Sequence, residues 1–180
     1  MKKLLLILAL AIPTFQLSAQ TETPVIPVDE ATKLITYQKV VNVEAKKDEL
    51  FNKAIGWING YYANPSGVTK KRDLASGLIE GVARFDLMVK DAKGVESKVG
   101  VVEYKLTLNL KDTKYRYTLS EFVYKQASKF PCEKWLDTTA PGYQPAYADY
   151  LNALDTFANG LIADMTAKIE EKEVKKNDEW

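Results

Sequence analysis

Between Val102 and Tyr124 the chain alternates apolar and polar residues with a period of two. Val102, Tyr104, Leu106, Leu108 and Leu110 fall on one side, and Glu103, Lys105, Thr107 and Asn109 on the other. A strand with one buried and one wet face has this pattern. After Lys111-Asp112-Thr113-Lys114, Tyr115, Tyr117 and Leu119 alternate with Arg116, Thr118 and Ser120. The stretch therefore predicts two antiparallel strands joined by a turn.

The same reading extends to both sides. Leu34–Val43 is rich in β-branched and aromatic residues and reads as a first strand. From Lys46 to Tyr62 the period changes: Leu50, Phe51, Ala54, Ile55, Trp57, Ile58 and Tyr61 recur at three- and four-residue spacing. That predicts an amphipathic helix, with Asp48 and Glu49 suited to its positive first turn and Asn64-Pro65-Ser66-Gly67 closing it. Its Trp and Tyr stripe is read as core rather than as a ligand shelf. Val68–Asp73 is a short polar strand. In the longer strand Gly77–Lys90, Ile79, Gly81, Ala83, Phe85, Leu87 and Val89 face one way, and Glu80, Arg84 and Asp86 the other. Gly81 inside it suggests a bulge or a bend. Asp91–Gly94 forms a hairpin turn, and the next strand starts near Glu96. Gln126–Pro145 reads as a long loop, with Trp135 packing part of it down, and Ala146–Glu171 as the longest helix. Strand, helix, four strands, helix is the order of an α+β domain. An antiparallel meander carries both helices on one face and leaves the other open, with Glu80, Arg84, Glu103, Lys105, Thr107, Arg116 and Thr118 on it.

The ends of the chain differ in kind. Residues 1–19 read as a signal peptide: Lys2-Lys3, an apolar run from Leu4 to Ile12 too short to span a bilayer, then Pro13 and a small residue, Ala19, for cleavage. Residues 20–29 form a flexible leader, 30–170 a single domain and 171–180 a charged tail. The expected protein is exported, periplasmic or secreted, monomeric, and without a membrane span once mature.

Composition narrows the chemistry. The 180 residues carry 25 basic and 24 acidic side chains, and without Lys2 and Lys3 the balance is −1. A near-neutral chain lacks the positive field of a nonspecific nucleic-acid binder, so no nucleic-acid partner is expected. There is no histidine, which removes the commonest general base and metal ligand. Cys132 is the one cysteine, read as a buried, idle thiol in preference to an intermolecular bridge. No cofactor or metal site is expected.

Tyr37-Gln38-Lys39-Val40-Val41, Lys47-Asp48-Glu49-Leu50-Phe51 leading to Trp57, the strand start Gly77–Gly81, and above all Lys111-Asp112-Thr113-Lys114-Tyr115-Arg116-Tyr117 occur in a recognisable order. In these pieces the chain resembles a family of bacterial secreted domains of unknown function with a TATA-binding-protein-like (TBP-like) fold. The family pattern at the turn is close to Lys-Asp-Gly-Lys-Tyr-Arg-Tyr. Thr113 replaces its glycine, which predicts a turn that does not depend on a glycine-only conformation. Phe51 stands where the family favours Tyr. The resemblance implies a curved antiparallel sheet with two helices on one side, and it implies no catalytic residues.

Two function classes follow. The first is a non-enzymatic binding or assembly module for an envelope protein or peptide. It would use the 126–145 loop or the open face, with Lys105, Thr107, Arg116, Thr118 and Arg84 as candidate contacts. The Lys-Asp-x-Lys-Tyr-Arg-Tyr turn could serve as a recognition loop, but the plainer reading has Asp112 setting the turn through its own backbone while Tyr115 and Tyr117 pack on the sheet. The second class is a small hydrolase or carbohydrate-active enzyme using Glu80, Asp86 and Glu103, which requires those carboxylates to converge in a cleft.

Overall fold

A computed structural model describes residues 24–171 except 92 and 127; the predicted signal peptide and most of the charged tail lie outside these residues. The elements are β1 (Tyr37–Asn42), α1 (Lys47–Tyr61), the single turn α2 (Pro65–Val68), β2 (Thr69–Asp73), β3 (Leu78–Lys90), β4 (Glu96–Lys111), β5 (Lys114–Lys125), β6 (Lys129–Pro131), a 3₁₀ turn at Cys132–Trp135, and α3 (Ala146–Glu170). The sheet is antiparallel, curved and unclosed, in the order β1-β5-β4-β3-β2, with β6 also paired to β5. This is the expected α+β architecture, with the helices on one face.

β4 is the spine of the core. Val102, Tyr104, Leu106, Leu108 and Leu110 are all buried. Above them lie the buried stripes of α1 (Leu50, Phe51, Ala54, Trp57, Ile58) and α3 (Leu151, Leu154, Ala158, Leu161, Met165, Ile169). Their three- and four-residue spacing keeps each stripe facing the sheet. Emptying one of these fully buried leucine sites would cost about 2–5 kcal/mol. Polar tips bind the layers together: Trp57 Nε1 donates to Asp164 Oδ1 at 2.6 Å, and Tyr37 Oη donates to Asp155 Oδ1 at 2.8 Å. Tyr62 and Tyr104 share a hydroxyl–hydroxyl bond of 2.9 Å. The aromatic stripe of α1 is thus core at Trp57, while Tyr61 reaches the surface.

Four details depart from the sequence reading. The 126–145 segment is not all loop: β6 extends the sheet, and the 3₁₀ turn buries Cys132 and Trp135. Alternation in β5 breaks at Glu121, whose φ is 55°. There two residues of β5 face the single residue Tyr104, and this bulge makes Phe122 and Tyr124 the next inward positions. The first strand starts only at Tyr37, because Val28 bridges to Ile35 and Asp29 closes a tight turn by accepting from Thr32. The end of the leader is therefore tied to the domain. Finally, Thr113 adopts a left-handed φ of 66°, the conformation that its glycine replacement was expected to avoid.

The turn holding Thr113 is clamped to the segment between β1 and α1. Thr113 N donates to Ala45 O at 2.9 Å, and Val43 N donates to Thr113 O at 3.0 Å. These two bonds hold the unfavourable φ in place. Asp112 does not bond its own turn: its Oδ1 accepts the Lys47 N–H at 2.9 Å. It caps α1, whose own N-cap residue, Lys46, supplies no side-chain bond. Gly77 at the start of β3 is required where it stands. Its φ is +67°, and a Cβ there would lie 2.1 Å from Leu110 O.

Candidate functional site

The open face is built by register. Glu80 of β3 stands beside Thr107 of β4, Thr118 of β5 and Gln38 of β1. The neighbouring rows hold Val82, Lys105 and Ser120, then Arg84, Glu103 and Val123. On the other side of the Glu80 row, Asn109, Arg116 and Val40 form a further row. All five candidate contacts, Arg84, Lys105, Thr107, Arg116 and Thr118, therefore occupy one surface.

Most of its charges are matched across strands. Arg84 holds Glu103 at 2.8 Å, and Lys125 reaches the same carboxylate at 3.4 Å. Lys98 pairs with Asp86 at 2.7 Å, and Lys105 sits 3.4 Å from Glu80 and 3.6 Å from Glu121. Thr118 Oγ1 donates to Gln38 Oε1 at 3.0 Å. Exposed pairs of this kind contribute little stability singly, but they fix where each side chain points.

Arg116 differs. Its partner is the neutral Asn109, whose Oδ1 accepts from Nη2 at 3.1 Å. Lys111 and Lys114 stand beside it, and together with Val40 these residues line a depression of about 390 Å³ to whose wall no carboxylate among the described residues contributes. Arg116 and Lys114 both belong to the Lys-Asp-x-Lys-Tyr-Arg-Tyr stretch; Tyr115 and Tyr117 are buried behind them.

The three carboxylates of the hydrolase reading do not converge. Glu80 and Asp86 lie six positions apart on β3, roughly 20 Å at strand rise. Glu80, Asp86 and Glu103 are each tied to a lysine or arginine. Partial burial pushes the Glu103 carboxyl upward, but the bonds and charges of Arg84 and Lys125 outweigh it and hold the group below the usual glutamate value. That favours the ionised form, the opposite of a general acid. Among the described residues, no group of three or more acidic or cysteine side chains is placed to hold a metal ion.

The 126–145 segment offers a second surface. Phe130, Tyr143 and Tyr147 line a pocket of about 380 Å³, with Lys134 and Asp137 at its rim. Behind it, Trp135 packs edge-on to Tyr124 and Tyr150. Cys132 is fully buried, and burial pushes its thiol well up, so the reactive thiolate is suppressed.

Known structures share this architecture. A TBP-like protein from Parabacteroides distasonis superposes with a TM-score of 0.67 at 18% identity, covering 82% of this chain and 99% of that one. A DUF4468 family protein from Bacteroides ovatus gives 0.65 at 14% identity, covering 83% and 94%. At such identities the likeness concerns the fold. No curated protein matches the chain. Residues 37–125, which run from β1 to the end of β5, match the family described as a domain of unknown function (DUF4468) with TBP-like fold. The chain thus belongs to the DUF4468 family, as the order of its strands, its first helix and its Lys-Asp-x-Lys-Tyr-Arg-Tyr turn implied.

Proposed function

We propose that this protein is an exported, monomeric, non-enzymatic binding module of the cell envelope, which holds an acidic protein or peptide at the basic corner of its open sheet face. The observation behind this reading is the Arg116 depression. Arg84, Lys98, Lys105 and Lys125 are matched by carboxylates on the same face, whereas Arg116, Lys111 and Lys114 stand together with no ion-pair partner among the described residues. Unmatched cations on a rigid sheet attract an anionic surface and raise its rate of encounter. Export rests on the order of basic start, apolar run and small residue in positions 1–19.

The test compares tagged wild type with an Arg116→Glu/Lys114→Glu variant, each cross-linked in cells and recovered from the envelope fraction. A specific acidic partner should be held by the wild type and lost in the variant, with unchanged thermal unfolding. Equal recovery by both, or an intact mass showing residues 1–19 still attached to a cytoplasmic protein, refutes the reading.

A further inference from the structure

The sheet has strand edges left unpaired within the described chain, and they are guarded differently. β2 presents Lys70, Lys71 and Arg72 and carries a bulge between Thr69 and Lys71. Clustered cations and bulges both deter strand addition. β1 is short and bears Lys39. β3 has neither device. β2 covers only Leu78–Gly81, so Val82–Lys90 is bonded to β4 on one side and to no strand on the other. Two of its three charged residues are drawn towards β4, Arg84 by Glu103 and Asp86 by Lys98, which leaves Lys90 at the end of the strand as the one charge not so held. The bulge in this pair also falls on β4, where Leu87 and Met88 face Gly100 and Lys98 and skip Val99. The outer edge of β3 therefore keeps regular strand spacing.

A groove of about 730 Å³ runs between this edge and the N-terminal half of α3. Phe85 and Phe157 stack at 3.7 Å between ring centroids, and Met88 and Ala153 extend the apolar wall. The rim is acidic: Asp91, Glu96 and Asp149 outnumber the single cation, Lys90, since the charge of Asp86 is already matched by Lys98. Asn152 Oδ1 is buried in the wall with no donor among the described residues. These features suit one kind of occupant. A free strand edge offers main-chain bonds to any extended chain, an adjoining apolar groove seats alternate side chains, and a negative rim selects positive ones.

We propose that Val82–Lys90 and the facing half of α3 bind an extended peptide of another protein as an added antiparallel strand, in which apolar residues alternate with lysine or arginine. A second copy of this chain fits poorly, because its own free edge, Val82–Lys90, carries Asp86 and Met88 between Arg84 and Lys90 and so lacks the regular row of cations that the rim selects. The proposal stands apart from the basic corner, which lies at the other end of β4, so either can fail alone.

The probe is a capped heptapeptide alternating valine with lysine, titrated into the isotopically labelled protein. Amide signals of Val82–Lys90 and of Asp149–Phe157 should shift, and the glutamate counterpart should bind at least tenfold more weakly. Two further peptides carry N-methyl groups on alternate backbone nitrogens, one on each alternate set. Only one set faces β3 in an added strand, so one peptide should bind and the other should not. Ala153→Trp, which fills the groove from a half-buried position, should weaken binding tenfold or more with the thermal transition unchanged. The proposal is overturned by no shift, by shifts centred on Arg116, or by equal binding of both methylated peptides. A dimer with protected β3 amides in the absence of peptide overturns it as well.

Discussion

The carboxylate of Asp112 caps a helix that begins 65 residues earlier, its Oδ1 accepting the Lys47 N–H at 2.9 Å. The motif that most resembles a recognition loop is therefore an internal fastening at its acidic residue. Removing the acceptor with Asp112→Ala should cost about 1 kcal/mol, the usual worth of a side-chain N-cap. The urea midpoint should fall with the slope unchanged. Asp112→Asn keeps an acceptor and should lose less; equal losses would mean that the bond does not stabilise the fold.

Thr113 is held at a φ of 66° by bonds to Ala45 and Val43. A β-branched residue pays about 1–2 kcal/mol for that conformation, and glycine gives part of it back through its freer unfolded chain. Thr113→Gly should thus stabilise the protein by about 0.5–1 kcal/mol net. The reverse exchange at Gly77, Gly77→Ala, should destabilise by about 3 kcal/mol or more, because strain and a backbone clash add. Thermal unfolding of the two variants should move in opposite directions.

Glu103 is held below its ordinary value of 4.5 by Arg84 and Lys125. A carboxyl with a depressed folded value stabilises fully above its unfolded value, and that contribution is lost as pH falls through the folded one. The gap in unfolding free energy between wild type and Glu103→Gln should be constant near neutrality and close below pH 4.5. A gap that persists unchanged into strong acid would show that the ion pairs are not its source.

At the alkaline end the tyrosines govern. Burial pushes the Tyr62 hydroxyl up to about 12 despite its bond to Tyr104, and burial raises Tyr104 as well. Groups with raised folded values stabilise fully below their ordinary value, here 10, and lose that contribution as pH rises through the folded value. Urea midpoints should hold to pH 9 and then fall from pH 10 upward, with tyrosinate absorbance from these rings appearing only as the fold opens.

Cys132, the first residue of the 3₁₀ turn, is fully buried. A thiol reagent should leave it unmodified in the native protein and label it in denaturant. Rapid native labelling would mean that the 126–145 segment opens readily.

The strands were legible where one local rule operates. Period-two alternation places Val102 to Leu110 and Tyr115 to Leu119 correctly, and it puts Arg84, Lys105, Thr107, Arg116 and Thr118 on one face. It fails at Glu121, because a bulge without glycine leaves no compositional mark and shifts Phe122 and Tyr124 inward. β6 is too short to show a period. The unmatched state of Arg116 was hidden for another reason: pairing depends on which strands lie side by side and in which register, and both are set by turns far along the chain. The role of Asp112 was equally remote, since its bond joins segments that meet only in three dimensions.

That bond also has a bearing on how the chain acquires its structure. The pairs β3–β4 and β4–β5 join neighbours in sequence, whereas β1 must find β5, and α1 its cap, across the whole intervening meander. Contacts that close long loops form late because their entropy is paid before they reward it. In pulse-labelled hydrogen exchange during refolding, β4 and β5 should gain protection first, and β1 with the first turn of α1 last. The first strand and the first helix would then wait on the synthesis of a turn that follows Lys47 by 65 residues, so a nascent chain stalled before Asp112 should hold them unprotected.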